Sequence, residues 1–153
     1  MAKNDSYHER HLLRIEDYEF QDGNGVRDKY MIVLNRSEDS AFIIHTLTTK
    51  QAQGFNPLNS GCFNKSNISF FYIPKGEVIG EQGFSFELDT FVFFANNIRK
   101  EPLKAFEKYA EKNVSFKDIV NKQFLKDLID CMLGSDFISF EQADCLRQTR
   151  KRL

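Results

Sequence analysis

Two apolar runs separated by a short polar string constrain the fold of this chain more than any other feature. Residues 30–34 and 41–47 are rich in β-branched and bulky side chains, and residues 35–40 between them have the composition of a turn. The pattern predicts a β-hairpin with a longer loop. Neither run alternates strictly between apolar and polar residues, so both strands are expected to lie in a crowded core.

The open end of this hairpin carries cationic and hydroxyl side chains. Two cations stand at the entry of the first strand, and three threonines and a lysine close the second. Antiparallel pairing brings the start of one strand beside the end of the next, so these residues are expected close together, and we place the candidate site there. The set consists of Arg27, Lys29, Thr46, Thr48, Thr49 and Lys50.

Three short motifs between residues 12 and 106 carry a family resemblance. Residues 47–50 read Leu-Thr-Thr-Lys, residues 88–92 read Leu-Asp-Thr-Phe-Val, and residues 97–99 read Asn-Ile-Arg. In this order they resemble the PemK/MazF family of ribonuclease toxins. Helix signals in residues 101–153 predict two to three C-terminal α-helices, so the expected fold is mainly β with C-terminal helices. The resemblance implies that its β part is an SH3-like small barrel. It also implies a metal-independent endoribonuclease or a degenerate descendant of one, with no cofactor.

The resemblance also assigns catalytic roles and partners. The family places an arginine at the mouth of the first apolar strand and a threonine at the end of the next. Here Lys29 stands at the arginine position, Arg27 two residues earlier, and Thr48 at the threonine position. The implied partners are RNA as the substrate, an antitoxin protein as the inhibitor, and a second copy of the chain in a homodimer.

Metal-free RNA cleavage requires the 2′-hydroxyl to lose a proton while positive charge offsets the extra negative charge on the phosphate. Lys29 can balance this charge, but an ammonium does not bind two phosphate oxygens as a guanidinium does. In addition, Tyr30 replaces the proline that usually follows the arginine. These two departures leave retention of catalysis open.

A further set of residues is expected to bind the substrate around that centre. By resemblance, the glycine-containing loop 22–26 lies over the RNA, although its composition fits a plain hairpin turn equally well. The threonines of the set also suit ordinary strand positions. By the same resemblance Arg99 lies at the edge of the site, and the alternative is an internal salt bridge between Asp89 and Arg99. The substrate-binding set is Asp22, Asn24, Thr46, Thr49, Lys50 and Arg99.

Composition limits the classes of fold and of ligand that the chain is consistent with. The 153 residues are 41% hydrophobic and 28% charged, which predicts one folded domain with its own core. A net charge of −1 provides no general attraction for nucleic acid, so a polyanion would have to bind a local basic patch. The 16 phenylalanines and the absence of tryptophan predict a core filled by aromatic packing.

The cysteines and histidines do not predict a metal site. Cys62, Cys131 and Cys145 lack the spacing of ligands, and the three histidines do not complete a set. No secretory segment and no run of about 20 apolar residues is visible, which predicts a cytoplasmic setting, reduced thiols and no membrane partner. Cys62 is expected to be a plain thiol in an exposed loop, and Cys131 to lie near the core on a helix.

The rest of the chain divides into three parts of a single domain. Residues 1–10 are expected to form a mobile tail, residues 11–100 the β-barrel body, and residues 101–153 a helical C-terminal appendage. In the body, residues 67–73 predict a strand, residues 84–94 one or two strands, and residues 51–65 a long surface connection. Residues 11–20 predict a strand, with a short helix as the alternative because their apolar periods are mixed.

Helix signals concentrate in the appendage. Pro102 predicts a short helix that continues to residue 112. Ser115 and Asp118 resemble a capping box and predict a long helix that ends at Gly134, and Ser139 opens a last helix in the same way. The basic residues among 147–152 are expected to be a solvated helix end that complements the helix dipole, and the second interpretation is a basic tail that binds nucleic acid.

Two other classes of function are consistent with the same pattern. The first is a non-catalytic module whose barrel groove binds nucleic acid or a peptide. The second is an adaptor in which the C-terminal helices carry the interaction.

Overall fold

The computed structural model describes residues 7–19, 26–45, 47–48, 61–65, 68–95, 97–106 and 113–153. In these ranges the chain is mainly β with two C-terminal α-helices, as predicted. A 3₁₀ turn, Leu103–Phe106, follows the eighth strand. The elements are β1 His11–Glu19, β2 Val26–Arg36, β3 Ser40–His45, β4 Leu47–Thr48, β5 Gly61–Lys65, β6 Ile68–Ile73, β7 Thr90–Phe93, β8 Ile98–Pro102, β9 Val114–Ile119, α1 Lys122–Leu133 and α2 Phe140–Arg152.

The strands form two antiparallel sheets. The large sheet has the order β8-β3-β2-β1-β9, and the small sheet has the order β4-β7-β6-β5. In the described residues neither sheet closes into a barrel, so the fold there is a pair of open sheets. Helix α1 packs on β5 and β6 of the small sheet, whereas α2 packs on β2 of the large sheet.

The predicted hairpin is confirmed. Strands β2 and β3 pair from Met31 opposite His45 to Arg36 opposite Ala41, with a register shift after Val33. Strand β2 is the central strand of the large sheet, and it is apolar on both faces. Ile32 belongs to the cluster on one face, whereas Met31 and Val33 belong to the cluster on the other. Burial on both sides explains why the sequence of β2 does not alternate.

The main hydrophobic core lies between the two sheets and the two helices. The large sheet contributes Ile32, the small sheet contributes Phe71 and Val92, and the helices contribute Leu128 and Leu146. One contiguous cluster therefore joins the β body to the helices. The C-terminal helices are part of the same packed core and not a separate attachment.

Smaller clusters cover the outer faces of the sheets. Tyr7 is buried with Met31 outside the large sheet, so this part of the predicted tail contacts the folded body. Outside the small sheet, Phe63 stacks on Phe70 with ring centroids 4.7 Å apart, and a tyrosine stacks on Phe91 in the same cluster. The prediction of a core filled by aromatic packing is confirmed.

The predicted helix start at residues 115–118 is wrong. These residues lie in β9, which pairs with β1 from Val114 opposite Ile15 to Ile119 opposite His11. Backbone pairing with β1 outweighs the local capping signal. Helix α1 begins at Lys122 instead, after Asn121, whose side chain accepts a hydrogen bond from the N–H of Phe124 at 2.7 Å. Its predicted end at Gly134 is confirmed.

Three other segment predictions are corrected in part. The predicted surface connection 51–65 contains strand β5 at its end, and residues 51–60 lie outside the described part of the chain. Of residues 84–94, β7 alone is a strand, and its predicted central position is confirmed because it lies between β4 and β6. The helix predicted to reach residue 112 is a 3₁₀ turn at Leu103–Phe106, with residues 107–112 not described.

The last helix follows its sequence signals closely. Ser139 and Gln142 form the predicted capping box at the start of α2. The arginines at its end form ion pairs, Arg150 with Asp130 at 3.0 Å and Arg152 with Glu9. These pairs lie at the surface and fit the predicted helix end better than a free basic patch.

A buried threonine fastens α2 to the large sheet. The Thr149 hydroxyl is fully buried, donates to the carbonyl oxygen of Leu34 at 2.8 Å and accepts from Asn35 Nδ2 at 2.9 Å.

The isosteric change Thr149→Val is expected to lower the free energy of unfolding by about 1–3 kcal/mol, because it leaves both partners buried without this hydrogen bond. Urea denaturation measures the loss. Thr149→Ser should retain most of the stability, and equal stability of the valine variant would contradict the prediction.

The prediction that Cys62 is a plain thiol is wrong. Cys62 on β5 forms a disulfide with Cys131 on α1, with Cα atoms 5.4 Å apart. Asn64 supports the same junction, since its Nδ2 donates to the carbonyl oxygen of Cys131 at 2.9 Å. Cys145 is a free, buried thiol. The prediction that Cys131 lies on a helix near the core is confirmed.

Candidate functional site

Lys29, the residue at the family's arginine position, lies inside the fold. It sits on β2 opposite Ile15 and is only 5% exposed. Side chains alternate along a strand, so Lys29 shares the face of Met31 and Val33, the side of the large sheet on which Tyr7 is packed. Direct contact between Lys29 and a substrate in solution would therefore need a rearrangement of this cluster.

The other two predicted catalytic positions lie on different sheets. Arg27 is on β2 of the large sheet, opposite Tyr18. Thr48 is on β4 of the small sheet, opposite Thr90. The chain changes sheets after His45. If β3 continued in its register with β2, Leu47 would lie opposite Lys29. Leu47 instead pairs with β7 of the small sheet. The structure thus separates Lys29 and Thr48 by sheet.

Of the predicted substrate-binding residues, the structure describes only Arg99. It lies on edge strand β8 opposite Ile43. Its neighbour Ile98 packs on the main core, so alternation places Arg99 on the other face of the large sheet, the face of Lys29. The remaining predictions lie outside the described residues: Asp22, Asn24, Thr46, Thr49 and Lys50.

A cleft between the two sheets borders the predicted site. Its volume is ≈ 240 Å³. Tyr30, which follows Lys29 on β2, lines one side, and Thr90, the cross-strand partner of Thr48, lines the other. We call this the aromatic cleft. Its lining residues are Tyr30, Phe84, Ser85, Phe86, Glu87, Leu88 and Thr90.

Three aromatic rings form the walls of the aromatic cleft. The ring of Phe86 lies 5.2 Å from that of Tyr30 and 5.1 Å from that of Phe84, in both cases close to perpendicular. Edge-to-face contacts of this kind are favourable and fix the ring positions. Phe86 is buried, whereas the other two rings are half-buried and border the opening. The cleft therefore has a rigid floor and accessible ring surface.

Polar groups at the opening are available to a ligand. Among the described residues, no hydrogen bond or ion pair involves the Tyr30 hydroxyl, the Ser85 hydroxyl or the Glu87 carboxylate. Thr90 differs, because its hydroxyl donates to the carbonyl oxygen of Leu88 at 2.9 Å. The cleft combines apolar walls with a small number of polar groups, which is the usual make-up of a binding site.

The segment that carries Phe84 is fixed by a buried carboxylate on β9. Asp118 accepts hydrogen bonds from the N–H groups of Gln82 at 3.1 Å and Phe84 at 3.0 Å. The same segment donates to β9 through the N–H of Glu81, which bonds the carbonyl oxygen of Ile119 at 2.8 Å. The wall of the aromatic cleft is therefore held by the large sheet.

Tyr72 and Asp89 support the far end of the cleft. Burial, followed by the nearby Asp89 carboxylate, raises the pKa of Tyr72 above its ordinary value. The Asp89 carboxylate also accepts from the N–H of Lys75 at 3.0 Å. These contacts position residues 88–90, which include the cleft residue Thr90.

A second depression, which we call the acidic groove, lies between α1 and the small sheet. Its volume is ≈ 710 Å³, and Phe71 and Phe124 are among the apolar residues that line it. Glu77, Asp127 and Asp130 contribute carboxylates, of which Asp130 is paired with an arginine of α2. The Cys62–Cys131 disulfide lies in its wall. Its excess of carboxylates makes it a poor site for a polyanion.

Comparisons with protein-family models, curated proteins and solved structures found no match. In the described ranges, no group of three or more histidine, cysteine, aspartate or glutamate side chains could hold a metal ion. Among those same residues, neither helix has the length and apolar character needed to cross a bilayer.

Sequence reasoning missed the walls of the aromatic cleft. In the sequence, Tyr30 is notable only as the residue that replaces the family's proline. The pattern of residues 84–94 predicts that Phe84 and Phe86 lie in a strand. A signal was present, because Phe84, Ser85, Phe86 and Glu87 alternate apolar and polar, yet the segment belongs to neither sheet. What the pattern could not show is that Tyr30 meets these rings across the sheets.

Proposed function

We propose that this chain is a metal-independent endoribonuclease of the PemK/MazF type, or a degenerate descendant of one. The observation that supports this proposal best is the position of the aromatic cleft. Tyr30, next to Lys29, and Thr90, opposite Thr48, line the same cleft although they come from different sheets. Thr48 is therefore next to a residue of the cleft, whereas the Lys29 side chain lies on the other face of the large sheet and acts on the site only through its charge. In this proposal the two sheets correspond to the family's SH3-like barrel.

The proposed reaction divides the labour among three side chains. Arg27 makes the direct phosphate contact, because its planar fork can bind two phosphate oxygens and Lys29 is buried. Lys29 adds positive charge from within the large sheet, where the low dielectric strengthens its effect. The Thr48 hydroxyl donates a hydrogen bond to the phosphate as negative charge develops on it. In the proposed step the RNA 2′-oxygen forms a bond to phosphorus as its proton passes to solvent water, and the bond from phosphorus to the 5′-oxygen breaks as that oxygen takes a proton from water.

Cleavage of single-stranded RNA in the presence of a chelator tests this proposal. Arg27→Ala and Thr48→Val are each expected to slow cleavage about 100-fold, the usual loss when one donor to a developing charge is removed. Lys122→Ala is the matched control, because Lys122 is an exposed lysine at the start of α1 and should leave the rate unchanged. Absence of cleavage by the wild type, or an equal rate in both site variants, would contradict the proposal.

The proposed assembly is a homodimer whose activity is blocked by an antitoxin protein.

The acidic groove favours a second candidate function, a non-catalytic module that binds a cationic peptide of a protein partner. Its apolar floor and the carboxylates of Glu77 and Asp127 are complementary to such a segment. Expression in bacteria separates the two candidates. Growth arrest that Arg27→Ala relieves favours the enzyme, whereas harmless expression favours the binding module.

A further inference from the structure

We infer that the aromatic cleft is the subsite for one unstacked nucleobase of single-stranded RNA. The inference rests on the proposed function, which makes RNA the substrate, and it adds where one base of that RNA binds. It is carried by four properties of the cleft: its size, its ring surfaces, its unsatisfied polar groups and its position.

The size of the cleft suits a single ring system. Its volume, ≈ 240 Å³, lies below the range of about 300–1,000 Å³ that is usual for pockets that enclose drug-sized ligands. A dinucleotide or a folded peptide would not fit inside it. One planar heterocycle, with its sugar and phosphate left outside, matches both the volume and the open side.

The ring surfaces provide the attraction. Proteins that recognise single-stranded RNA splay bases out of the strand and stack them on aromatic side chains. The half-buried rings of Tyr30 and Phe84 lie 5.9 Å apart and are tilted to each other by 55°, so they do not stack face to face. Because Phe86 contacts both from below, the two rings are held in place before a base arrives.

The polar groups at the opening provide selectivity. The Glu87 carboxylate is exposed and only accepts hydrogen bonds, so a ligand group that bonds to it in place of water has to be a donor such as N–H. The Watson–Crick edge of a base carries amino or imino N–H groups that can donate to it. The hydroxyls of Tyr30 and Ser85 can donate to the carbonyl or ring-nitrogen acceptors of the same edge.

Position links the cleft to the proposed chemistry. Thr90 lies in the cleft and is the cross-strand partner of Thr48, and Tyr30 directly follows Lys29. A base bound in the cleft would therefore hold its own phosphate near Thr48, while Lys29 lies on the other face of the large sheet. Leu88, 55% exposed at the opening, adds apolar surface that a bound nucleotide would cover.

The test measures binding of an end-labelled single-stranded 2′-O-methyl oligonucleotide of mixed sequence, which cannot be cleaved because its 2′-hydroxyl is blocked. Phe84→Leu keeps apolar volume but removes the ring, and it is expected to weaken binding about tenfold, as for the loss of one stacking partner. Phe140→Leu is the matched control, since Phe140 is 90% exposed at the start of α2, outside the cleft. Glu87→Gln, at an exposed site, is expected to change the preferred base without loss of fold.

The outcomes distinguish this inference from the proposed function. Weaker binding by Phe84→Leu and an altered base preference in Glu87→Gln, with Phe140→Leu unchanged, support the subsite whether or not the chain cleaves RNA. Cleavage by the wild type together with unchanged binding in both cleft variants overturns the subsite and leaves the proposed enzyme intact. If the wild type does not bind the oligonucleotide, the subsite is also overturned. The RNA cleavage assay then tests the proposed endoribonuclease activity independently.

Discussion

Replacing Asp118 with alanine is expected to lower the free energy of unfolding by about 3 kcal/mol, because hydrogen bonds to a charged acceptor each contribute about 1.5–3 kcal/mol. Asp118 is 1% exposed on β9, and its carboxylate accepts from the N–H groups of Gln82 and Phe84. These two bonds connect β9 to the segment that forms a wall of the aromatic cleft. Their removal therefore weakens the fold and frees that wall.

Equilibrium denaturation in urea measures this effect. Asp136→Ala is the matched control, because Asp136 is exposed on the short connection between the helices and should change stability by less than about 0.5 kcal/mol. Asp118→Asn retains one acceptor oxygen but faces the N–H donors with an amide, so an intermediate loss is expected. An alanine variant as stable as the control would show that the two N–H groups find equivalent partners elsewhere.

Gly80 provides an independent check on the same contact. A Cβ atom built at Gly80 would lie 2.0 Å from Asp118 Oδ2, a distance that no relaxed structure allows. Gly80→Ala alone is therefore expected to be destabilising, because the carboxylate must move away from its N–H donors. In the Asp118→Ala background the contacts with Oδ2 and Cγ are removed and only the 2.9 Å contact with Cβ remains, so the double variant should lose less than the sum of the single variants. Additive losses would contradict the described contact.

Loss of the Cys62–Cys131 disulfide is expected to lower the free energy of unfolding by about 4 kcal/mol, the chain-entropy value for a loop of this length. The bonded residues are 69 positions apart, so the bond closes a long loop that contains β6, β7, β8 and β9. It also joins an edge strand of the small sheet to α1 across the acidic groove. Reduction would therefore release both the loop and one wall of that groove.

Denaturation with and without dithiothreitol measures the contribution of the disulfide. The wild type should lose stability on reduction, whereas the double variant Cys62→Ala/Cys131→Ala should already be less stable and should not respond. Cys145→Ala is the control, since Cys145 is a free thiol and its variant should still respond to the reductant. A wild-type midpoint that reduction leaves unchanged would contradict the prediction.

The disulfide also bears on the cellular setting. Disulfides persist in oxidising compartments and are rare in the cytosol. The prediction of reduced thiols fails for two of the three cysteines, and the cytoplasmic setting stays a prediction. Thiol titration of the unfolded protein, purified without reductant, counts the free cysteines directly and should find Cys145 alone.

The sequence by itself determined the features whose causes are local. The central hairpin follows from two apolar runs with a polar turn between them. In the structure these runs form β2 and β3, which pair as antiparallel strands. The start of α2 follows from Ser139 and Gln142, because a capping box involves only residues in one turn. The end of α1 at Gly134 is local for the same reason.

Only the tertiary structure decided the features in which distant segments compete or meet. Residues 115–118 carry a helix-capping pattern, yet they form a strand because β1 offers backbone partners more than 90 residues away in the sequence. The partner of Cys62 depends on where α1 packs, and the aromatic cleft exists because Tyr30 and Phe84 meet between two sheets. Local patterns report the preferences of a few neighbouring residues, whereas burial and pairing between distant segments are properties of the whole packed chain.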